Sequence, residues 1–381
     1  MNQIEIKFGS TSEDVRQALE LYSISFPGGY TKNNLITQKR AQIIQDDYIP
    51  SRFIIAKKNF KVVACIRYSI RKIKLGNINF DIIGIGDYCV SKIDSIQPFY
   101  GITFLNKSLA ILSKLNFPLG IGSGRKIMEN YYARFGFITA SSYAKCFIEK
   151  IEPGYLLSPK AYCKECFFYN RIHEYEKARI NTAKNDWGLI HRSTEQWQWI
   201  LYQVSEMNLY KFIEIMIGNK FIGYFISNKN QVLDFGFLPE FYEDCCKAML
   251  GELIKFSKEN EQQAVLPISF DHPAIQFMKG VHLRFEHRFI PNEGIMTVPL
   301  NPVLLLDIFS AVSGFSPEKI LKDLFGVHRE FTAPCDLTKV ELSIIANGLF
   351  MGTVPPFFVG NKISEKIIRR TFHRINDLDA L

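Results

Sequence analysis

The sequence predicts an α/β (α+β) protein of two similar units in tandem, each a mixed, mostly antiparallel sheet flanked by helices, with a small C-terminal region after them. Three observations carry this expectation. The chain has 381 residues, beyond the roughly 250 to 300 at which a single core stops growing. An order of helix, three strands, helix, strand and short helix occurs twice along it. Hydrophobic residues make up 47% and charged residues 22%, and no low-complexity tract interrupts them, so each unit has enough apolar surface for a core. The expected division is a first unit over 1–150, a connecting segment over 151–185, a second unit over 186–298 and a helical region or arm over 299–381.

The first unit opens on SEDVRQALELYSISF, where Val15, Leu19, Tyr22 and Phe26 fall at helical spacing behind a Ser12 cap. RFIIAKKN, KVVACIRYSIRKIKL and INFDIIGIGDYCV follow, β-branched runs broken by Asn and Gly that predict three consecutive antiparallel strands. Gly101 to Asn116 is an amphipathic helix, PLGIG a strand and Met128 to Phe135 a short helix. In the second unit, Glu195 to Gln203 predicts a helix and KFIEIMIGNKFIGYFISNKNQVLDFGF three strands joined by Gly-Asn and Asn-rich turns. Tyr242 to Asn260 is then helical, AVLPISF a strand and HPAIQFMKG a short helix. Beyond Pro299 an apolar helix, a Ser316-Pro317 helix start and a basic tail complete the chain.

Charge and cysteine usage narrow the function classes. The excess of 46 Lys and Arg over 38 Asp and Glu is mild and diffuse. Its densest stretch, Lys57 to Lys74, alternates with Val, Ile and Tyr as the solvent faces of strands do, and no basic low-complexity tail is present, which disfavours nucleic acid as partner. No apolar run reaches the roughly 18 residues of a membrane span, and MNQIEIKFGS has no signal-peptide pattern, so a cytoplasmic protein without a membrane partner is expected. The eight cysteines sit mostly among apolar residues, as free packing thiols do. Cys163-Lys164-Glu165-Cys166 is half of a zinc knuckle with no second half, so no metal is expected. Gly120, Gly122 and Gly124 follow a helix, the wrong context for a dinucleotide fingerprint; close backbone packing is the expected role. Trp187, Trp197 and Trp199 are expected to anchor an interface between units in preference to lining an aromatic substrate slot.

The most specific stretch is GIGSGRKIMENYYARFGF, residues 120 to 137, in which Tyr132 precedes the pair Gly136-Phe137 by four residues. It resembles the fifth strand and fourth helix of the GCN5-related N-acetyltransferases, and YARFGF is most similar to the tandem-domain enhanced intracellular survival acetyltransferases. The resemblance implies tandem acyl-CoA N-acyltransferase folds, with acetyl-CoA or another acyl-CoA as co-substrate and no metal. It also implies that the start of the third helix holds the pyrophosphate, here Tyr100, Gly101, Ile102 and Thr103. Gly101 stands where the family's central glycine does, while Pro98 and Thr103 depart from the Arg/Gln-x-x-Gly-x-Gly/Ala pattern and Gln97 lies one position early.

By the same resemblance the fourth strand offers the backbone of Cys89 and Val90 to the pantetheine, and Tyr132 is the general acid for the leaving thiolate. An amine must be deprotonated to attack a thioester, so a base is needed. Asp87 is the first candidate, and the chain-end carboxylate of Leu381 is the second. The expected reaction is N-acetyl transfer to the primary amine of a small molecule or peptide. The alternatives are an aminoacyl-tRNA-dependent aminoacyltransferase of the peptidoglycan type and a non-catalytic scaffold. Acceptor identity, acyl length and oligomeric state are left open.

Overall fold

The computed structural model describes residues 4–26, 29–75, 78–91, 100–123, 128–139, 142–148, 160–166, 169–182, 189–260, 263–267, 273–280, 284–291 and 295–320. A short strand β1 (Glu5–Phe8) precedes α1 (Ser12–Ser25), whose capping box is built by Thr11 and Asp14, one residue ahead of the Ser12 cap that the sequence led us to expect. A second helix, α2 (Tyr30–Ile43), has almost no amphipathic contrast in YTKNNLITQKRAQI and buries little beyond Thr37, which is why periodicity did not predict it. Strands β2 (Phe53–Lys58), β3 (Lys61–Leu75) and β4 (Ile78–Val90) form the expected meander. They are followed by α3 (Tyr100–Leu112), β5 (Leu119–Ser123), α4 (Glu129–Ala133), β6 (Ile138–Thr139) and β7 (Ser142–Ile148).

The connecting stretch is more structured than expected. It holds β8 (Ala161–Glu165) and α5 (Ile172–Thr182), and β9 (Leu189–Ile190) follows. Then come α6 (Thr194–Ser205), β10 (Lys211–Ile217), β11 (Lys220–Asn228), β12 (Gln231–Phe237) and α7 (Tyr242–Asn260). The described chain ends with β13 (Ala264–Pro267), α8 (Pro273–Gly280), β14 (Phe285–Pro291), β15 (Ile295–Pro299) and α9 (Pro302–Ser313).

Two sheets result, in the orders β1-β2-β3-β4-β5-β15-β6, with β9 added to β3, and β14-β7-β13-β12-β11-β10-β8. Their membership crosses the expected division at 150 and 298. β7 joins the second sheet through β13 and β14, while β15 enters the first between β5 and β6. Each sheet thus closes with a strand from the other half of the sequence, a long-range pairing that local patterns do not encode. β9 adds a further tie, pairing with Ile73 and Lys74 of β3, while Arg179 of α5 donates to the Ile190 carbonyl at 2.7 Å.

In the first sheet the α1 face packs Ala18, Leu19, Tyr48, Phe53, Ile55, Cys65 and Cys89. The opposite face packs Ile66, Tyr68, Ile83 and Ile85 against Phe104, Leu105 and Leu112 of α3. Gly120 shows the close packing expected of its run: a Cβ there would lie 2.6 Å from Ile85 Cδ1 and 3.1 Å from Val298 Cγ1. In the second unit Trp197 is core, donating Nε1–H to Glu176 at 2.9 Å, whereas Trp199 faces α2, with Arg40 5.8 Å from its ring. Among the described tryptophans the interface role therefore belongs to Trp199, and Trp197 is a correction; Trp187 lies outside the described residues. No described helix is long and apolar enough to cross a membrane.

Candidate functional site

The first sheet opens in its middle. β4 and β5 run parallel and pair only at Ile83, Gly84 and Ile85 with Gly120, Ile121 and Gly122. From Gly86 to Val90, β4 has no strand partner on its β5 side among the described residues, so a row of backbone donors and acceptors faces the gap. A bulge begins at the same place. Cys65 opposes Cys89 and Arg67 opposes Gly86, and Asp87 takes the left-handed φ of +55°. A bulge shifts the side-chain phase by one residue. Ile83 and Ile85 face α3 before it, and Tyr88 and Val90 face α3 after it, which leaves Asp87 and Cys89 on the α1 face.

On the α3 face the structure brings together most of the residues that the sequence singled out. Val90, Tyr100, Ile102 and Tyr132 border one apolar cluster, and Gly101 opens α3 beside them. A Cβ at Gly101 would lie 2.9 Å from Tyr88 Oη, 3.4 Å from Tyr131 Oη and 3.8 Å from Val90 Cγ2, so two phenols close on this glycine. Tyr88 donates to the Gly101 carbonyl at 3.0 Å and shares a hydrogen bond of 2.9 Å with the Tyr131 hydroxyl, and burial pushes its pKa far above the ordinary value. Tyr132 meets Tyr131, Tyr88 and Phe137 with centroids 5.4, 6.3 and 5.6 Å apart. Gly136, at φ +87°, ends the helix that carries it. The Tyr100 hydroxyl is buried without a hydrogen-bond partner among the described residues, and burial raises its pKa to about 12. Thr103 is exposed a turn further on. Gln97, Pro98 and Leu381 lie outside the described residues.

Sequence reasoning missed Tyr88 and Tyr131. Both stand inside motifs that were singled out, GDYCV and NYYARFGF, but only the bulge reveals that Tyr88 points to α3.

The α1 face holds a buried polar cluster. Asp87 accepts a hydrogen bond from Arg67 Nε, and Arg67 Nη1 lies 3.7 Å from Asp47. Arg71 binds both Asp47 oxygens, at 2.6 and 3.2 Å. Arg67 is 1% exposed and Arg71 7%, so within the expected solvent face of Lys57 to Lys74 these two are a correction, buried against the carboxylates of Asp47 and Asp87, while Lys61 and Lys72 are exposed as expected. Burial works against the charge of Arg67, and the nearby carboxylates outweigh it, leaving its pKa above the usual value. Tyr48 lies under Arg67, 4.7 Å from ring centroid to guanidinium carbon, and Tyr22 is close enough to Asp87 for their charges to interact. Asp87 and Tyr132 thus sit on opposite faces of the opened strand. Cys89 turns its thiol inward, 3.2 Å from Cys65 Sγ, and only its backbone lies on the open edge.

The remaining singled-out cysteines pack. Cys163 borders the cluster under α7, Cys166 belongs to the one under α5 and α6, and Cys245 and Cys246 are both fully buried in the former. Among the described residues no three His, Cys, Asp or Glu side chains are placed to hold a metal.

No protein-family model and no curated protein matches the chain by sequence. Solved structures do match in fold. A GCN5-related N-acetyltransferase from Anabaena variabilis is 12% identical, with a TM-score of 0.57 over 80% of this chain and 74% of that one. One from Kribbella flavida is 11% identical, with a TM-score of 0.57 over the same shares. Eis1 from Mycobacterium abscessus, also 11% identical, gives 0.53 over 80% of this chain and 75% of its own. Two mostly antiparallel sheets flanked by helices, the first parted between its fourth and fifth strands, give this chain the tandem-domain fold of the GCN5-related N-acetyltransferases.

Proposed function

We propose that the chain is an acyl-CoA-dependent N-acyltransferase, moving an acetyl group to a primary amine by direct attack. The observation that carries the reading is the unpaired, bulged edge of β4 from Gly86 to Val90, open beside the start of α3. Its backbone groups suit the amides of a pantetheine chain, and the Tyr100 hydroxyl, without a hydrogen-bond partner among the described residues, supplies a further polar contact. Cys89 and Val90 would present that edge, with Tyr100, Gly101, Ile102 and Thr103 toward the phosphates, while the second unit shapes the acceptor side. Acetyl-CoA is thus the co-substrate of the reading.

The chemistry divides across the strand. Tyr132, on the α3 face, protonates the leaving sulfur. Asp87, on the α1 face, takes the amine's proton directly or through water; Arg67 engages its Oδ2 and leaves Oδ1 for that step.

A thermal-shift titration tests binding. A ligand at a hundredfold excess over its Kd stabilises by about 2.7 kcal/mol, so acetyl-CoA should raise Tm clearly, and absence of any shift with acetyl-CoA, CoA or longer acyl-CoAs overturns the reading. Thiol release with an amine panel tests turnover. Tyr132→Phe should lower kcat by about 10² to 10⁴ as loss of a general acid does, and an unchanged kcat removes Tyr132 from that role.

A further inference from the structure

We infer that the acceptor bears a carboxylate near its amine, and that Arg67 binds it on the α1 face of the β4 bulge. The inference rests on the acyltransferase reading of the same bulge and names the substrate class it serves. Arg67 uses Nε on Asp87 and sets Nη1 toward Asp47, but Nη2 is buried without a hydrogen-bond partner among the described residues. A buried polar group left unmade costs about 1 to 3 kcal/mol, and more when it is charged. A guanidinium donor in a fixed fork is matched by a planar carboxylate.

The surroundings fit an anion. Asp47, itself bound by Arg71, lies 3.7 Å from Arg67 Nη1, and Arg40 of α2 adds a third guanidinium whose charge acts, with that of Arg67, on the Tyr48 phenol. Tyr22 and Tyr48 keep their protons at neutral pH, because burial raises both pKa values, Tyr22 to about 12, so each has a hydroxyl to donate. Tyr22 and Arg40 are only half-buried and border the approach, with Trp199 of α6 beyond Arg40. A polycationic amine would meet guanidiniums here; an amino acid or a peptide N-terminus close to a carboxylate would meet complementary charge. With the carboxylate on Arg67, the amine lies beside Asp87 at the bulge. Its nitrogen bonds to the acyl carbon, the carbon–sulfur bond breaks, the amine loses one proton and the thiolate gains one, leaving an amide and a free thiol.

The test measures binding without acyl-CoA, so that it does not depend on turnover. Dissociation constants are measured by calorimetry for matched pairs, L-phenylalanine with phenethylamine, L-tryptophan with tryptamine and L-lysine with cadaverine, on the wild-type chain. At least one carboxylate-bearing member should bind tenfold or more tightly than its decarboxylated partner. Arg67→Gln should abolish that difference and Arg67→Lys should restore part of it. Arg40→Gln, on the half-buried rim, should narrow the difference even if the Arg67 variants do not fold. Equal or absent binding within every pair overturns the inference, and then the Tyr48 ring is what occupies Nη2. Thiol release with acetyl-CoA is scored separately: turnover of cadaverine but not of amino acids leaves the acyltransferase standing and sinks the carboxylate site. Failure to bind any acyl-CoA, with the pairwise difference intact, does the reverse.

Discussion

Both sheets part between two parallel strands, and they differ in what stands behind the parting. In the first, β4 leaves β5 after Ile85, bulges at Asp87 and carries a polar cluster whose rim, Tyr22 and Arg40, is only half-buried. In the second, β12 pairs with β13 only at Gln231 and Val265 and also carries a bulge, Ile226 opposing Asp234 and Ser227 opposing Val232, but no residue of β12 has a positive φ. Its aspartate, Asp234, is 1% exposed and sealed by Arg192 at 2.5 Å, Tyr224 at 2.9 Å and Arg179 at 3.5 Å. α5 lies directly on the strand: a Cβ at Gly236 would come within 2.6 Å of the Arg179 backbone nitrogen. One architecture therefore serves two ends. A left-handed bulge under a half-buried rim turns a parted sheet into an accessible edge, and a bulged strand of ordinary φ under a tight helix turns it into a core.

The largest expected effect tests that contrast at the two aspartates. Removing one partner of a buried ion pair costs about 3 to 5 kcal/mol, and Asp234→Ala takes the carboxylate from Arg192 and from Arg179 at once, although Arg179 keeps Glu176 at 3.7 Å, so it should cause a large fall in the urea midpoint or loss of folded protein. Asp87→Ala should cost less, because Asp47 stays near Arg67 Nη1. Equal losses would mean that the first cluster is as sealed as the second. Next in size are the glycines. Gly236→Ala drives a Cβ into backbone, whereas at Gly101 the first obstacle is the Tyr88 hydroxyl. Overpacking costs typically about 1 to 3 kcal/mol; Gly101→Ala should fall in that range and recover most of it in a Tyr88→Phe background, while Gly236→Ala should exceed it. Failure of Tyr88→Phe to relieve Gly101→Ala would show that the phenols do not set the space at the start of α3.

Much of this was legible in the sequence because the strands are long and β-branched. β3, β4 and α7 lie over the residues that pattern reading assigns to them, and Val90 and Tyr132 border one apolar cluster with Gly101 beside Val90. What escaped has physical causes. The exchange of β7 and β15 depends on pairing across about half the chain. The burial of Arg67 and Arg71 depends on Asp47, which stands 20 residues before the first and 24 before the second in a turn without periodicity. The reorientation of Tyr88 depends on a backbone bulge that Gly86-Asp87 permits without announcing.

A smaller effect concerns the strap that joins the units. His191 donates its backbone N–H to the Lys72 carbonyl at 2.9 Å, and its Nε2 is buried without a hydrogen-bond partner among the described residues. Burial lowers its pKa, with Arg179, Lys74 and Lys72 adding to that and Glu176 opposing it. A histidine whose folded pKa is depressed binds a proton more readily when the chain unfolds. Stability should thus be full above the ordinary histidine pKa of about 6.5 and fall as pH drops through it toward the lower folded value. His191→Gln should flatten the Tm profile between pH 7 and 5, and an unchanged slope would place the titration elsewhere.

The smallest effect lies where α2 meets α6. Lys39 stands 5.3 Å from the Tyr202 ring, a cation–π contact at the rim of the two units. Contacts of this kind at exposed sites contribute about 0.5 to 1 kcal/mol, and a double-mutant cycle over Lys39→Gln and Tyr202→Leu should return a coupling near the lower end. The strand exchange and the β9 strap already tie the two sheets through main-chain bonds, so losing this contact should leave Tm nearly unchanged. What it should alter is the angle between α2 and α6, and with it the approach past Arg40 and Trp199. A measured coupling with no change in amine affinity would make the α2–α6 contact a fastening alone. A coupling that travels with amine affinity would make the second unit part of the acceptor site.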